Sequence, residues 1–190
     1  MYSVKISVII LLLTTMVGCG GDNNLIPSNR DLRPTVTAGS TGHLPSQKLA
    51  DFNLQDSLGN TWRLSDHLNT GLVPADATVL YFTMWCPICL AHSDHMLYTV
   101  IPKFAARGTT NYVLVDYVSG SVVGARSSEI SNGYNNSPFT VLADSTQSLM
   151  QQLNASMGTT VVVDRYGTVL MNEDYRTGSN LTNILNGILP

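Results

Sequence analysis

The chain has 190 residues, with 10 Lys and Arg against 13 Asp and Glu and a formal net charge of −3. That length holds one domain with sequence to spare, and the charge balance leaves no basic run to attract nucleic acid. Hydrophobic residues make up 44% and charged residues 12%, which excludes a highly charged disordered chain and predicts a globular core.

Residues 1–19 read as an address rather than as part of a fold. Lys5 supplies one positive charge, ISVIILLLTTMV is apolar but short for a bilayer span, and small residues lead to Cys19 in MVGCGG. This layout resembles a bacterial lipoprotein signal, in which the cysteine is lipidated and becomes the new N-terminus. Two or more acyl chains suffice for stable anchoring. The expectation is an exported protein held on a bacterial membrane and facing the periplasm or the cell exterior. The alternative is an ordinary signal peptide with an incidental cysteine. Residues 20–46 are rich in Gly, Pro, Ser, Thr and Asn and lack apolar periodicity. They are expected to form a flexible tether reaching about 25–30 Å as a random coil.

The folded domain is expected over residues 47–190. ADFNLQDSLGNTWRLSDHL alternates apolar and polar residues on both sides of the turn-prone SLGN, the pattern of a β-hairpin. ATVLYFTMW is a mostly apolar run rich in β-formers and predicts a buried central strand. Pro87 then stands where a first helical residue belongs. The helix is expected from Pro87 to about Arg107, with Ile88, Leu97, Val100, Ile101 and Phe104 inward and a kink or end at Pro102. NYVLVDYV predicts a second buried strand, SGSVVGARSSEISNGYNNS a loop with one short helix, and PFTVLAD a third strand. STQSLMQQLN has helical spacing with Ser145 as its expected cap. TTVVVD and TVLMNE flank a turn at Arg165–Gly167, and SNLTNILNGIL is an amphipathic helix with Ser179 as its expected cap. Strands alternating with helices, followed by a hairpin and a helix, imply an α/β sandwich around a mixed central sheet.

YFTMWCPICLAHSDHM, residues 81–96, concentrates the chemistry. The chain has three cysteines. If Cys19 carries lipid, only Cys86 and Cys89 remain, too few for a disulfide framework and more consistent with a functional pair. Their spacing alone suits either electron exchange or soft metal ligation.

The order of these segments, with Trp-Cys-x-x-Cys leaving the first buried core strand, resembles the thioredoxin fold. It resembles most closely the membrane-anchored thiol–disulfide oxidoreductases of the TlpA/ResA group, within the AhpC/TSA redoxin superfamily. The resemblance rests on DFNLQDSLGNTWRLSDH, YFTMWCPIC, FTVLAD and TTVVVDRYGTVL. It implies a thioredoxin-like sandwich with an N-terminal hairpin extension, no cofactor, and substrates among the thiols or disulfides of exported proteins, such as apocytochrome c or copper-site cysteines. A helix N-terminus at Cys86 would stabilise its thiolate, and Cys89 lies one turn further along. Cys86 is then the nucleophile and Cys89 the resolving thiol of a redox-active Cys86–Cys89 disulfide, with Trp85 and Pro87 shaping the site.

Two positions depart from the pattern. Where the family has a cis-proline facing the cysteines, this chain has Gly158 preceded by Met157, and the bond between them is expected to be trans. Where members often carry a glutamate three residues after the second cysteine, this chain has His92, a proton carrier near neutral pH or, if charged, a stabiliser of the thiolate.

The same residues also suit other chemistries. Cys86, Cys89, His92 and His95 recur every three residues, and four ligands from one regular helix do not close a zinc tetrahedron. Three soft ligands including Met84, Met96 or Met157 suit Cu(I), as in a metallochaperone resembling the Sco type. That type has Cys-x-x-x-Cys and a distant histidine, unlike this chain. A peroxiredoxin-like peroxidase matches Thr83 but not Val79, where that motif has proline. A redox-inert binding lipoprotein would tolerate loss of Cys86.

Overall fold

The computed structural model describes residues 35–190; the expected signal, Cys19 and most of the expected tether lie outside them. Strands β1 (Asn53–Asp56) and β2 (Thr61–Arg63) form the expected hairpin. Its turn is closed by Asp56, whose carboxylate accepts from the N–H groups of Leu58 and Asn60 at 2.9 and 2.8 Å. Strand β3 (Ala77–Thr83) is buried at all seven positions, the signature of a strand covered on both faces.

Helix α1 (Pro87–His95) follows, then a π turn at Met96–Val100 and the short α2 (Ile101–Phe104). Ile101 N–H reaches back five residues to the Met96 carbonyl, so the expected single helix widens one turn before Pro102. The remaining elements are β4 (Thr110–Asp116), α3 (Val122–Ser131), β5 (Thr140–Ala143), α4 (Ser148–Gln152), β6 (Thr159–Asp164), β7 (Val169–Asp174) and α5 (Ser179–Ile188).

The sheet runs β2-β1-β5-β4-β3-β6-β7. Its centre is parallel, β3 with β4 and β4 with β5, while β3–β6, β6–β7, β1–β5 and β1–β2 are antiparallel. This is a thioredoxin-like α/β sandwich, as the segment order implies. Alternate residues of β3 divide the core. Val79 and Tyr81 pack with Cys89, Met96 and Val100, whereas Leu80 and Phe82 pack with Leu142 and Leu153. Because side chains alternate along a strand, the face carrying Tyr81 is the face on which Cys89 is buried.

Several local expectations are corrected. Ile88 is exposed, not inward; the buried stripe of the helix runs through Cys89, Ser93, Met96 and Val100, leaving residue 88 on the rim. Asp144, not Ser145, caps α4: its carboxylate accepts from the N–H groups of Leu149 and Met150, and Gln147 stands at the cap position. Gly178, with φ +72°, takes the cap position of α5, where Ser179 is the first helical residue.

The compact unit spans Val36–Pro190, so it begins before residue 47. Ser46 N–H donates to the Val169 carbonyl at 2.9 Å, and Asn172 Nδ2 donates to the His43 carbonyl at 3.0 Å. The last residues of the expected tether are thus bound against β7. Among the described residues, no helix is long and apolar enough to cross a membrane.

Candidate active site

The site forms where β3 stops. Trp85 has φ +60°, a left-handed conformation that an L residue holds only when its surroundings impose it. Two bonds do so here. Its N–H donates to Thr83 Oγ1 at 3.0 Å, and its indole Nε1–H donates to Asp116 Oδ2 at 2.7 Å. Asp116, at the end of β4 and 1% exposed, also accepts from the N–H groups of Val118 and Ser119 at 3.0 and 2.9 Å and from Ser119 Oγ at 2.5 Å. One carboxylate therefore joins the residue before Cys86 to the loop after β4.

The turn delivers Cys86 to the cap of α1, with Pro87 as the first helical residue. Cys86 Sγ accepts from Cys89 N–H at 3.4 Å, and the two sulfurs are 2.8 Å apart as free thiols. Cys86 is half-buried and Cys89 buried. The hydrogen bond from the Cys89 thiol, foremost, holds Cys86 below the ordinary thiol range; the N–H groups of Cys89 and Ile88 add to this and burial opposes it.

Beneath the cysteines, His92 and His95 pair with two tyrosines, Tyr81 and Tyr175, that the sequence pattern does not single out. Tyr81 Oη is 3.0 Å from His92 Nδ1, and Tyr175 Oη is 2.7 Å from His95 Nδ1. The His92 and Tyr175 rings are 4.7 Å apart. Burial first, then the charge and hydrogen bonding of Cys89, push the Tyr81 phenol far up, so Tyr81 stays protonated. Burial, with nearby His95, lowers His92, against a raising influence from Asp174. His92 is therefore neutral at neutral pH, and a neutral imidazole can accept a proton.

The segment before β6 closes the site from the other side. Met157 Sδ is 3.4 Å from Cys86 Sγ. Gly158 has φ +83°, and the Met157–Gly158 bond is trans, as the lack of a proline there predicts. Gly158 N–H donates to the Phe82 carbonyl at 3.0 Å and its carbonyl accepts from Tyr175 N–H at 2.9 Å, tying the loop to the sheet. A cleft of about 230 Å³ opens here, lined by Tyr81, Ile88, His92, Met157, Asp174 and Arg176 among others. Of the methionines weighed as ligands, Met157 is at the sulfurs and Met96 is buried in the core.

A paired-thiol site at a helix N-terminus beside a central parallel strand defines a thioredoxin-fold protein of the redoxin class. The AhpC/TSA family model matches residues 45–171, and the chain belongs to the AhpC/TSA family. No curated protein matches the chain. Among solved structures it is similar to the peroxidoxin BcpB from Mycobacterium tuberculosis, with 22% identity, 74% of this chain and 95% of that chain covered, and a TM-score of 0.57. It is similar to a secreted M. tuberculosis disulfide oxidoreductase homologous to E. coli DsbE, with 18% identity, 72% and 95% covered, and a TM-score of 0.54. A thioredoxin-like protein from Aeropyrum pernix shares 17% identity over 73% of this chain and 89% of that one, with a TM-score of 0.55. At these identities the likeness establishes the fold.

Proposed function

We propose that the protein is a thiol–disulfide oxidoreductase that exchanges disulfides with exported proteins through Cys86 and Cys89, and that lipid on Cys19 holds it at a bacterial membrane. The observation that carries this reading is the pair of free thiols 2.8 Å apart at the start of α1. Only the thiolate is nucleophilic, and Cys86 is the more exposed of the pair and is held below the ordinary thiol range.

In the reducing direction, the Cys86 thiolate attacks one sulfur of a substrate disulfide. That S–S bond breaks, the other sulfur leaves as a thiolate, and a mixed disulfide joins Cys86 to the substrate. Cys89 loses its proton and attacks Cys86 Sγ. The Cys86–Cys89 disulfide forms and the substrate leaves as a second thiolate. Cys89 is buried against Tyr81, whose hydroxyl is hydrogen-bonded to His92. The Cys89 proton passes to Tyr81 as Tyr81 gives its own to His92, so no tyrosinate forms. Trp85, Pro87 and the Met157–Gly158 loop set the shape into which the substrate docks.

The test is turnover of insulin disulfides by the purified chain with a dithiol reductant. Wild type is expected to accelerate reduction, Cys86→Ser to be inactive, and Cys89→Ser to accumulate a mixed disulfide. A Cys86→Ser variant as active as wild type would refute the assignment.

A further inference from the structure

Cys86 Sγ touches two sulfur atoms at once, Cys89 Sγ at 2.8 Å and Met157 Sδ at 3.4 Å. Cys86 and Cys89 come from the start of α1 and Met157 from the loop before β6. The three sulfurs thus converge from two sides, which the spacing along one helix cannot achieve. We propose that Cys86, Cys89 and Met157 form a three-coordinate binding site for the thiophilic cation Cu(I). The proposal goes beyond disulfide exchange and shares with it one requirement, that both cysteines be reduced.

The donor set decides the cation class. Thiolate and thioether sulfur are soft ligands and select Cu(I) over hard cations. The neighbouring imidazoles have other partners, since His92 Nδ1 is bonded to Tyr81 and His95 Nδ1 to Tyr175. Among the described residues, no group of three His, Cys, Asp or Glu is placed to hold a metal. A four-coordinate zinc site built from those residue types therefore has no complete ligand set, whereas a three-sulfur Cu(I) site does.

Access and adaptability also fit. Cys89 is buried while Met157 is 39% exposed, so an ion arriving from solvent meets the thioether at the surface. Seating an ion widens the sulfur triangle, which takes rotation of the half-buried Cys86 side chain away from Cys89 together with adjustment of the unbranched methionine, whose side chain has three rotatable bonds.

The reaction is ligand exchange without electron transfer. Cu(I) forms two thiolate bonds and one thioether bond, and two thiol protons leave to solvent. Oxidation of the pair to a disulfide consumes both thiolates, so disulfide and Cu(I) exclude one another.

The test titrates the reduced full chain anaerobically with Cu(I) in competition with bicinchoninate, and reads the first shell by X-ray absorption. One Cu(I) per chain with three sulfur neighbours is expected. Met157→Leu, close in volume, should leave two sulfurs and weaken retention about tenfold, which corresponds to about 1.4 kcal/mol. Retention no better than in a variant carrying both Cys86→Ser and Cys89→Ser overturns the proposal. So does a Met157→Leu variant with unchanged affinity and sulfur count. Insulin reduction by the copper-free chain separates the two functions. Copper retained without reductase activity supports the cation site and removes the exchange reading, while reductase activity without copper retention does the opposite.

Discussion

Asp116→Asn isolates the bond that holds Trp85 over the site. The carboxylate has two sides: Oδ1 accepts from Val118 and Ser119 N–H, and Oδ2 accepts from Trp85 Nε1–H and Ser119 Oγ. In asparagine the amide oxygen can keep the two backbone bonds, and Ser119 Oγ can accept from the new NH₂. Flipping the amide would instead oppose its NH₂ to two backbone donors, so the unflipped orientation wins. Only the indole N–H is left facing a donor. A hydrogen bond to a charged group contributes about 1.5–3 kcal/mol, so the variant should lose about 2 kcal/mol, or roughly 4–8 °C in Tm for a domain of this size. Thermal denaturation measures the loss, and a double-mutant cycle with Trp85→Phe assigns it. The expected coupling is about 2 kcal/mol. An Asp116→Asn variant as stable as wild type, or additive with Trp85→Phe, would refute the reasoning.

Three further outcomes are expected. The pH profile of Cys86 alkylation should inflect below the ordinary thiol range, and Cys89→Ala should move it upward, because the Cys89 thiol is the main cause of the shift; an unmoved profile contradicts that cause. His92 is lowered from 6.5 in the folded protein, so below about 6.5 the unfolded chain binds a proton that the folded chain resists. Its contribution to stability is complete above that pH and is lost as pH falls through the folded value. Denaturant melts should therefore show His92→Gln to be less acid-sensitive than wild type, and an unchanged slope with pH counts against it. Gly158→Ala meets no atom within 4 Å but must hold φ +83°, which costs about 1–2 kcal/mol; a neutral result in denaturant melts would show that the loop relaxes.

Much of this architecture was legible in the sequence because it depends on local pattern. The apolar run before Cys86, the proline after it, and the paired strands around Arg165–Gly167 each carry their own signal. Spatial partnerships were not legible. Asp116 ends an apolar strand 31 residues from Trp85, and a carboxylate at the end of NYVLVD was the one available hint. Tyr81 falls in the apolar run expected as a buried strand, and nothing along the chain shows that its hydroxyl faces His92. The polar composition of residues 36–46 suggested a free tether, yet their backbone groups find partners on β7 and nearby turns. Ile88 looked inward from composition, but the phase of the helix is set by burial of Cys89.

The central claim is tested most directly by equilibrating the purified chain across a series of glutathione redox buffers, trapping it with an alkylating reagent, and mapping the modified peptides. The account predicts one reversible two-electron transition in which Cys86 and Cys89 disappear together into an intramolecular disulfide. Independent titration of the two cysteines, or glutathione adducts without that disulfide, would contradict it.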